Sequence, residues 1–243
     1  MHTHTTAPVV LDRREGPYGE VVLRRHGELL QIIANGCFLM DTSNGSSERL
    51  LVDAALDALG TRDASTAPVA PAVPDAAGRS GAPDLLIGGL GVGFSLAHAA
   101  ADPRWGRIAV VEREQAIIDW HRTGPLAELS GAALADPRTE ILHTDLVAYL
   151  SGTDDTYDAL CLDIDNGPDW TVTEGNNSLY SPTGLASCKA RLNPGGVLAV
   201  WSAQPSSAFD DALRNAGFCG VRTKEIPVAR GVPDVVHLGV RAA

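Results

Sequence analysis

Glycines, acids and aromatic residues in this sequence fall where chemistry could use them. The run Asp84-Leu-Leu-Ile-Gly-Gly-Leu-Gly-Val-Gly93 leads into Phe94-Ser-Leu-Ala-His98, an apolar stretch that breaks into glycines and resumes with helical spacing. A parallel strand that turns into a helix beneath a nucleotide-like ligand has this form. Gly88, Gly89, Gly91 and Gly93 remove Cβ atoms where the backbone must turn sharply, and they let a ligand lie against the main chain. Glu112 closes the next apolar run, Arg107-Ile-Ala-Val-Val111, 24 residues after Gly88. That spacing is close to the ~20 residues expected for a carboxylate that holds ribose hydroxyls. Asp145 follows Glu140-Ile-Leu-His-Thr144. Its carboxylate is suited to accept a hydrogen bond from an exocyclic adenine amine, and also to cap a helix that begins at Leu146.

A third acidic cluster, Asp163-Ile-Asp-Asn166, follows Tyr157-Asp-Ala-Leu-Cys-Leu162. Carboxylates there can attract a cationic amine and take a proton as a nucleophile attacks. Alternation along an extended segment puts Asp163 and Asp165 on one side, with Asp163 favoured. One of them also fits a turn acid leading into Asn166-Gly167-Pro168. Trp170, Tyr180 and Trp201 surround this loop in sequence and could hold an apolar or cationic substrate by stacking or cation–π attraction. Packing is the alternative for each, and Tyr180 equally fits a place between a loop and a helix.

The elements that must position these residues fall into three regions. Short antiparallel strands are predicted at Glu20–Arg24, Leu29–Ile33 and Cys37–Met40, separated by turns at His26-Gly27 and Asn35-Gly36. A helix over Ser46–Leu59 follows, with Gly60 as its stop. This first region spans residues 1–60. Residues 61–83 are dominated by Ala, Pro, Gly and Ser and read as a mobile linker. From residue 84 to 243 strands alternate with helices. Strands are expected at Asp84–Gly88, Arg107–Val111, Thr139–His143, Tyr157–Leu162, Gly196–Ser202, Gly220–Lys224 and Asp234–Val240. Helices are expected at Gly93–Ala101, Gln115–Thr123, Leu146–Leu150, Pro182–Arg191 and Ser206–Ala216. This alternation argues for an α/β fold with a doubly wound, mainly parallel sheet. Asn193-Pro-Gly-Gly196 reads as a tight helix-to-strand turn.

Composition excludes some functions. The 243 residues carry a formal charge of −11 and a pI near 5.0, which disfavours nucleic acid as a partner. No apolar stretch approaches the ~20 residues of a membrane span, and Met1–Pro8 lacks the pattern of a signal peptide, so a cytoplasmic setting is expected. Cys37, Cys161, Cys188 and Cys219 form no CxxC pair, and Cys161 and Cys219 read as buried thiols. The seven histidines are dispersed without metal-ligand spacing.

With these residues in place, the chain resembles the spermidine synthase-like branch of class I S-adenosylmethionine (AdoMet)-dependent transferases, from the N-terminal strands to about Ser202. The resemblance implies a Rossmann-like sheet of the class I methyltransferase type with a small N-terminal antiparallel β-region. It implies cofactor contacts from Gly88, Gly89, Gly91 and Gly93, from Glu112 at the ribose, from Asp145 and Leu146 at the adenine after Asp136-Pro-Arg138, and from Asp163. The catalytic loop matches Asp163-Ile-Asp-Asn-Gly-Pro168, with Asp163 and Asp165 as catalytic acids and with Asn166, Trp170 and Tyr180 on the substrate side. Leu179-Tyr-Ser181 and Leu192-Asn-Pro-Gly-Gly196 match later landmarks.

Departures from the family pattern shape the expected activity. Polyamine-making members resemble Gly-Gly-Gly-Asp-Gly in the first loop, and their acid contacts the aminopropyl ammonium; no acid stands between Gly88 and Gly93 here. Their Tyr-His-Glu triplet is replaced by Ser46-Ser47-Glu48, and the catalytic loop reads Asp-Ile-Asp-Asn rather than Asp-Ser-Ser-Asp. An acid facing the donor's tail would repel the carboxylate of intact AdoMet, so its loss relaxes selection for the decarboxylated form. The expectation is methyl transfer from AdoMet to an amine or hydroxyl of a small-molecule acceptor. The alternatives are aminopropyl transfer from decarboxylated AdoMet to a diamine, and a nucleoside-binding protein without catalysis. A nicotinamide dehydrogenase leaves Asp145 and the Asp163 loop unexplained. Asp165-Asn166 resembles part of a magnesium-dependent O-methyltransferase site, but such ligands come from two strand ends rather than one loop, so no metal is expected. The N-terminal strands offer an edge through which two chains could pair as a homodimer.

Overall fold

The computed structural model describes residues 7–63, 81–164, 166–171, 175–226 and 232–243. Most of the linker expected over residues 61–83, and Asp165, lie outside the described residues.

Four strands, β1 (Val9–Gly16), β2 (Gly19–His26), β3 (Leu29–Ala34) and β4 (Cys37–Asp41), pair antiparallel in chain order. The Asn35-Gly36 turn has both residues in the left-handed region, φ 50° and 79°, the conformation that lets a two-residue turn follow the twist of its strands. Val21, Leu23 and Ile32 of the inner strands are buried. β1 was not predicted, and its side chains explain why: Val9 and Val10 are about half exposed, so the strand carries no buried, alternating face. Helix α1 (Ser46–Asp63) buries Leu51, Val52, Ala54 and Ala55. It runs past Gly60, where a stop was expected. A glycine inside a helix costs only about 1 kcal/mol relative to alanine, less than the buried leucines on the same helix contribute.

The remaining chain runs β5 (Leu85–Gly88), α2 (Phe94–Ala101), β6 (Ile108–Glu112), α3 (Gln115–Arg122), α4 (Ala127–Leu134), β7 (Thr139–His143), α5 (Leu146–Gly152) and β8 (Tyr157–Leu162). A 3-10 turn (Asn176–Tyr180), α6 (Pro182–Ala190), β9 (Leu192–Ser202), α7 (Ser207–Asn215), β10 (Phe218–Ile226) and β11 (Asp234–Arg241) complete it. The second sheet has the order β10-β11-β9-β8-β5-β6-β7. β7, β6, β5, β8 and β9 are parallel, whereas β11 and β10 are antiparallel to their neighbours. This is the expected Rossmann-like, doubly wound α/β sheet with a small antiparallel N-terminal sheet. Successive residues of its central strands enter opposite layers: Leu85, Ile87 and Val110 one core, Leu86, Ala109 and Val111 the other. The apolar runs of these strands are therefore buried on both faces.

Local chemistry sets several boundaries. The Ser181 hydroxyl accepts from the Gly184 amide with Pro182 in the first turn, which starts α6 as predicted. Asn193-Pro-Gly-Gly196 is not a separate turn; it is an irregularity inside β9, where pairing to β8 jumps from Tyr157–Leu192 to Ala159–Val197. Helix α4 and the 3-10 turn were not predicted. Cys161 is buried as expected, but Cys219 is exposed because β10 is the sheet's edge strand.

Candidate active site

Strand order reverses at β5: β6 and β7 lie to one side, β8 and β9 to the other. Such a reversal opens a crevice beyond the carboxyl ends of the strands. A cleft of about 280 Å³ lies there, covered by Val21, Ala34, Leu39 and Met40 of the N-terminal sheet.

The glycine loop forms its floor, and its glycines allow close approaches that a Cβ would obstruct. A Cβ on Gly89 (φ 93°) would stand 2.6 Å from the Asp163 carbonyl oxygen, so the loops after β5 and β8 touch only because it has none. A Cβ on Gly91 would stand 2.4 Å from Met40 Sδ. These two glycines line the cleft. Gly88 and Gly93 lie outside its lining. A Cβ on Gly88 would meet Leu146 and Leu162, and one on Gly93 would meet His121, so both serve packing behind the loop.

Glu112, 6% exposed, lies at the end of β6 and lines the cleft. Its Oε2 accepts from the Leu90 amide at 2.9 Å and its Oε1 from the Glu114 amide at 2.8 Å. Burial pushes its pKa up, and the two amides oppose that rise. The same carboxylate therefore shapes the glycine loop and faces the cleft. Asp145 caps α5, with Oδ1 accepting from the Ala148 amide at 2.9 Å, and lines the cleft beside Thr144 and Leu146. Capping uses one oxygen and leaves the other's lone pairs for a ligand.

The opposite end is acidic. Asp163 lines the cleft after β8, and its amide donates to the Gly88 carbonyl at 3.0 Å. Burial, then the negative charges of Glu48 and Asp234, push its pKa up to about 7. Glu48, in the first turn of α1, has a buried Oε2 without a hydrogen-bond partner among the described residues, and burial raises its pKa too. Asp234 Oδ2 accepts from the Ser47 hydroxyl at 3.1 Å. Glu48 and Asp234 were not predicted as site residues. In the sequence Glu48 stands only within the Ser46-Ser47-Glu48 departure from the family triplet. Asp234 begins a strand, but β11 is antiparallel to β9, with Val235 opposite Ser202, so its beginning lies at the carboxyl end of β9.

Asn166 and Trp201 line the cleft, and the Asn166 carbonyl accepts from the Ala203 amide, tying the loop after β8 to the end of β9. Trp170 does not line it and is 63% exposed. Tyr180 does not line it either. Its ring packs edge-on against Phe209 of α7 at 5.6 Å, the packing role that was its alternative. Among the described residues no three His, Cys, Asp or Glu side chains are grouped as metal ligands would be, and no helix is long and apolar enough to cross a membrane.

No family model matches the chain. Over 131 residues it is 30% identical to a Pseudomonas aeruginosa protein named polyamine aminopropyltransferase 2, covering 52% of this chain and 35% of that protein. It is 32% identical over 124 residues to a polyamine aminopropyltransferase of Prochlorococcus marinus, covering 51% and 41%. The matched stretch thus spans less than half the length of these curated relatives. Among solved structures, a spermidine synthase in complex with the transition-state analogue AdoDATO superposes with a TM-score of 0.73 at 14% identity, over 96% of this chain and 74% of that one. Spermidine synthase from Thermotoga maritima gives 0.70 at 13% identity, over 96% and 73%. Human methyltransferase-like protein 13 in complex with SAH gives 0.51 at 18% identity, over 67% and 72%.

Proposed function

Proceeding from a divergent relative of the polyamine aminopropyltransferases with a spermidine synthase-like fold, we propose that this protein is an AdoMet-dependent transferase that methylates an amine of a small cationic acceptor. The nucleoside lies across the strand ends, adenine beside Asp145 over β7 and ribose at Glu112 over β6. The sulfonium then reaches the gap between β5 and β8, beside Gly89 and Asp163.

The observation that carries transfer to a cationic amine is the placement of Asp163 with Glu48 and Asp234 in one cleft. The three acids attract an ammonium. Asp163, whose pKa stands at about 7, is a better proton acceptor for an amine than an ordinary carboxylate. The amine loses its proton to Asp163, its lone pair forms the new N–C bond, and the C–S bond breaks with its electrons left on sulfur. S-adenosylhomocysteine and the alkylated amine result, and the proton passes to water. The donor carries its own electrophile, so alignment of nitrogen, carbon and sulfur supplies much of the rate.

A second reading is aminopropyl transfer from decarboxylated AdoMet to a diamine. The acids around Asp163 favour it, since they repel a donor's carboxylate, and so do the names of the curated relatives. The absence of an acid from Gly88 to Gly93 favours methyl transfer. Incubating the protein with each donor and a panel of di- and polyamines separates the two. Formation of S-adenosylhomocysteine supports methyl transfer and methylthioadenosine supports aminopropyl transfer. Binding of either nucleoside without any product would leave a non-catalytic binding protein.

A further inference from the structure

Behind the glycine loop, outside the cleft lining, His121 of α3 is fully buried. Its Nε2 lies 2.9 Å from the Gly91 carbonyl oxygen and its Nδ1 lies 2.5 Å from Ser130 Oγ. A carbonyl oxygen can only accept, so Nε2 carries the hydrogen; in the neutral ring Nδ1 then accepts from the Ser130 hydroxyl. Burial holds the His121 pKa below its usual range, which keeps the ring in that neutral form. Ser130 has one other acceptor, the Leu126 carbonyl, at a longer 3.3 Å.

The peptide between Gly91 and Val92 is held at its other end as well. The Val92 amide donates to Met40 Sδ at 3.3 Å. The carbonyl is thus fixed against α3 while the N–H is directed toward Met40, a residue that lines the cleft. Gly91 has φ 51° and Gly93 has φ 95°. Glycines resist rotation little, so the orientation of this peptide must come from its neighbours. A Cβ on Gly93 would stand 2.8 Å from His121 Cε1 and 3.1 Å from Ser130 Cβ, which shows how closely the loop is seated on this pair. Turning the peptide over would break both bonds and swing a carbonyl oxygen toward the cleft.

We infer that His121, oriented by Ser130, is a positioning residue that fixes the Gly91–Val92 peptide and so sets the floor of the donor site. It touches no ligand and acts through Gly91. The identity of the donor rests on the function proposed above, but the hold on the loop does not.

The test compares His121→Phe, which keeps a ring and loses the hydrogen bond, with His121→Gln, whose amide can donate at a similar reach, and with Ser130→Ala. Hydrogen exchange of ligand-free protein is followed by mass spectrometry over residues 88–96, beside titration with S-adenosylhomocysteine and steady-state kinetics. His121→Phe should speed exchange in the loop about tenfold and leave β6 unchanged. It should weaken S-adenosylhomocysteine binding about tenfold, while kcat at saturating donor stays within about twofold. His121→Gln should recover both within about threefold, and Ser130→Ala should fall between. If Phe and Gln variants behave alike, or if exchange accelerates throughout β5 and β6, His121 only packs and the inference is overturned. If the wild type binds no S-adenosylhomocysteine while loop exchange follows the stated order, the positioning role stands and the donor assignment falls.

Discussion

Replacing Asp163 with Asn keeps its shape and removes a charge that the fold holds unfavourably. Asp163 stands at about 7 in the folded chain against 3.8 for the free side chain, through burial first and then Glu48 and Asp234. An acid whose folded pKa is raised binds its proton more tightly in the folded state. Its ionisation therefore destabilises the fold, starting near pH 4, as the unfolded chain ionises, and complete above about pH 7. A gap of that size is worth about 4 kcal/mol for a group wholly shut from water. Asp163 is partly exposed, and screening reduces the expected effect to about 1–3 kcal/mol. Asp163→Asn should accordingly stabilise the protein by about 1–3 kcal/mol at pH 8 and by less than about 0.5 kcal/mol at pH 4. Urea unfolding of both proteins at the two pH values measures this without any ligand. Turnover should fall about 10²–10⁴-fold in the same variant, with donor affinity little changed, and the rise of wild-type kcat/KM toward a plateau above about pH 7 should disappear. Equal stability changes at both pH values, or a loss at pH 8, would mean that the fold compensates the carboxylate and that its raised pKa is not real. Equal losses of turnover and donor affinity would make Asp163 a scaffold.

Other perturbations probe the rest of the cleft. Glu112→Gln leaves one acceptor where two amides are held, so donor affinity should fall about 10–100-fold with little change in kcat at saturation, which calorimetry and kinetics can read. Glu48→Gln removes a negative charge acting on Asp163, so the acid limb of the kcat/KM profile should move to lower pH while KM for a cationic acceptor rises; a profile that stays in place would detach Glu48 from Asp163. Trp170→Ala should change acceptor KM less than about twofold, because the side chain is solvated outside the cleft; a tenfold increase would bring its loop over the substrate.

What was legible in the sequence follows from which signals are local. Apolar runs ending in glycine or an acid marked β5, β6 and β8 because strands buried on both faces need no alternation and end where the cleft begins. Ser181-Pro182 marked the start of α6 through capping chemistry confined to adjacent residues. β1 was missed because an edge strand with exposed valines has no buried face to read. Asn193-Pro-Gly-Gly196 has turn residues, yet the β-sheet continues through it by a shift of pairing. In the cleft, the strand-end acids Glu112, Asp145 and Asp163 were visible because each closes its own strand. Asp234 reaches the cleft through antiparallel pairing and Glu48 through the docking of α1, and neither relation leaves a mark in nearby sequence. Trp170 stands exposed outside the cleft lining, since closeness to Asp163 in sequence does not fix where a side chain lies.

A crystal structure with S-adenosylhomocysteine bound tests the central claim most directly. It should show adenine beside Thr144 and Asp145, ribose hydroxyls on Glu112, and the sulfur facing Asp163 with Glu48 and Asp234 beyond it. A nucleoside bound in the reverse sense, with adenine among the three acids, or seated away from the ends of β5, β6 and β8, would contradict it.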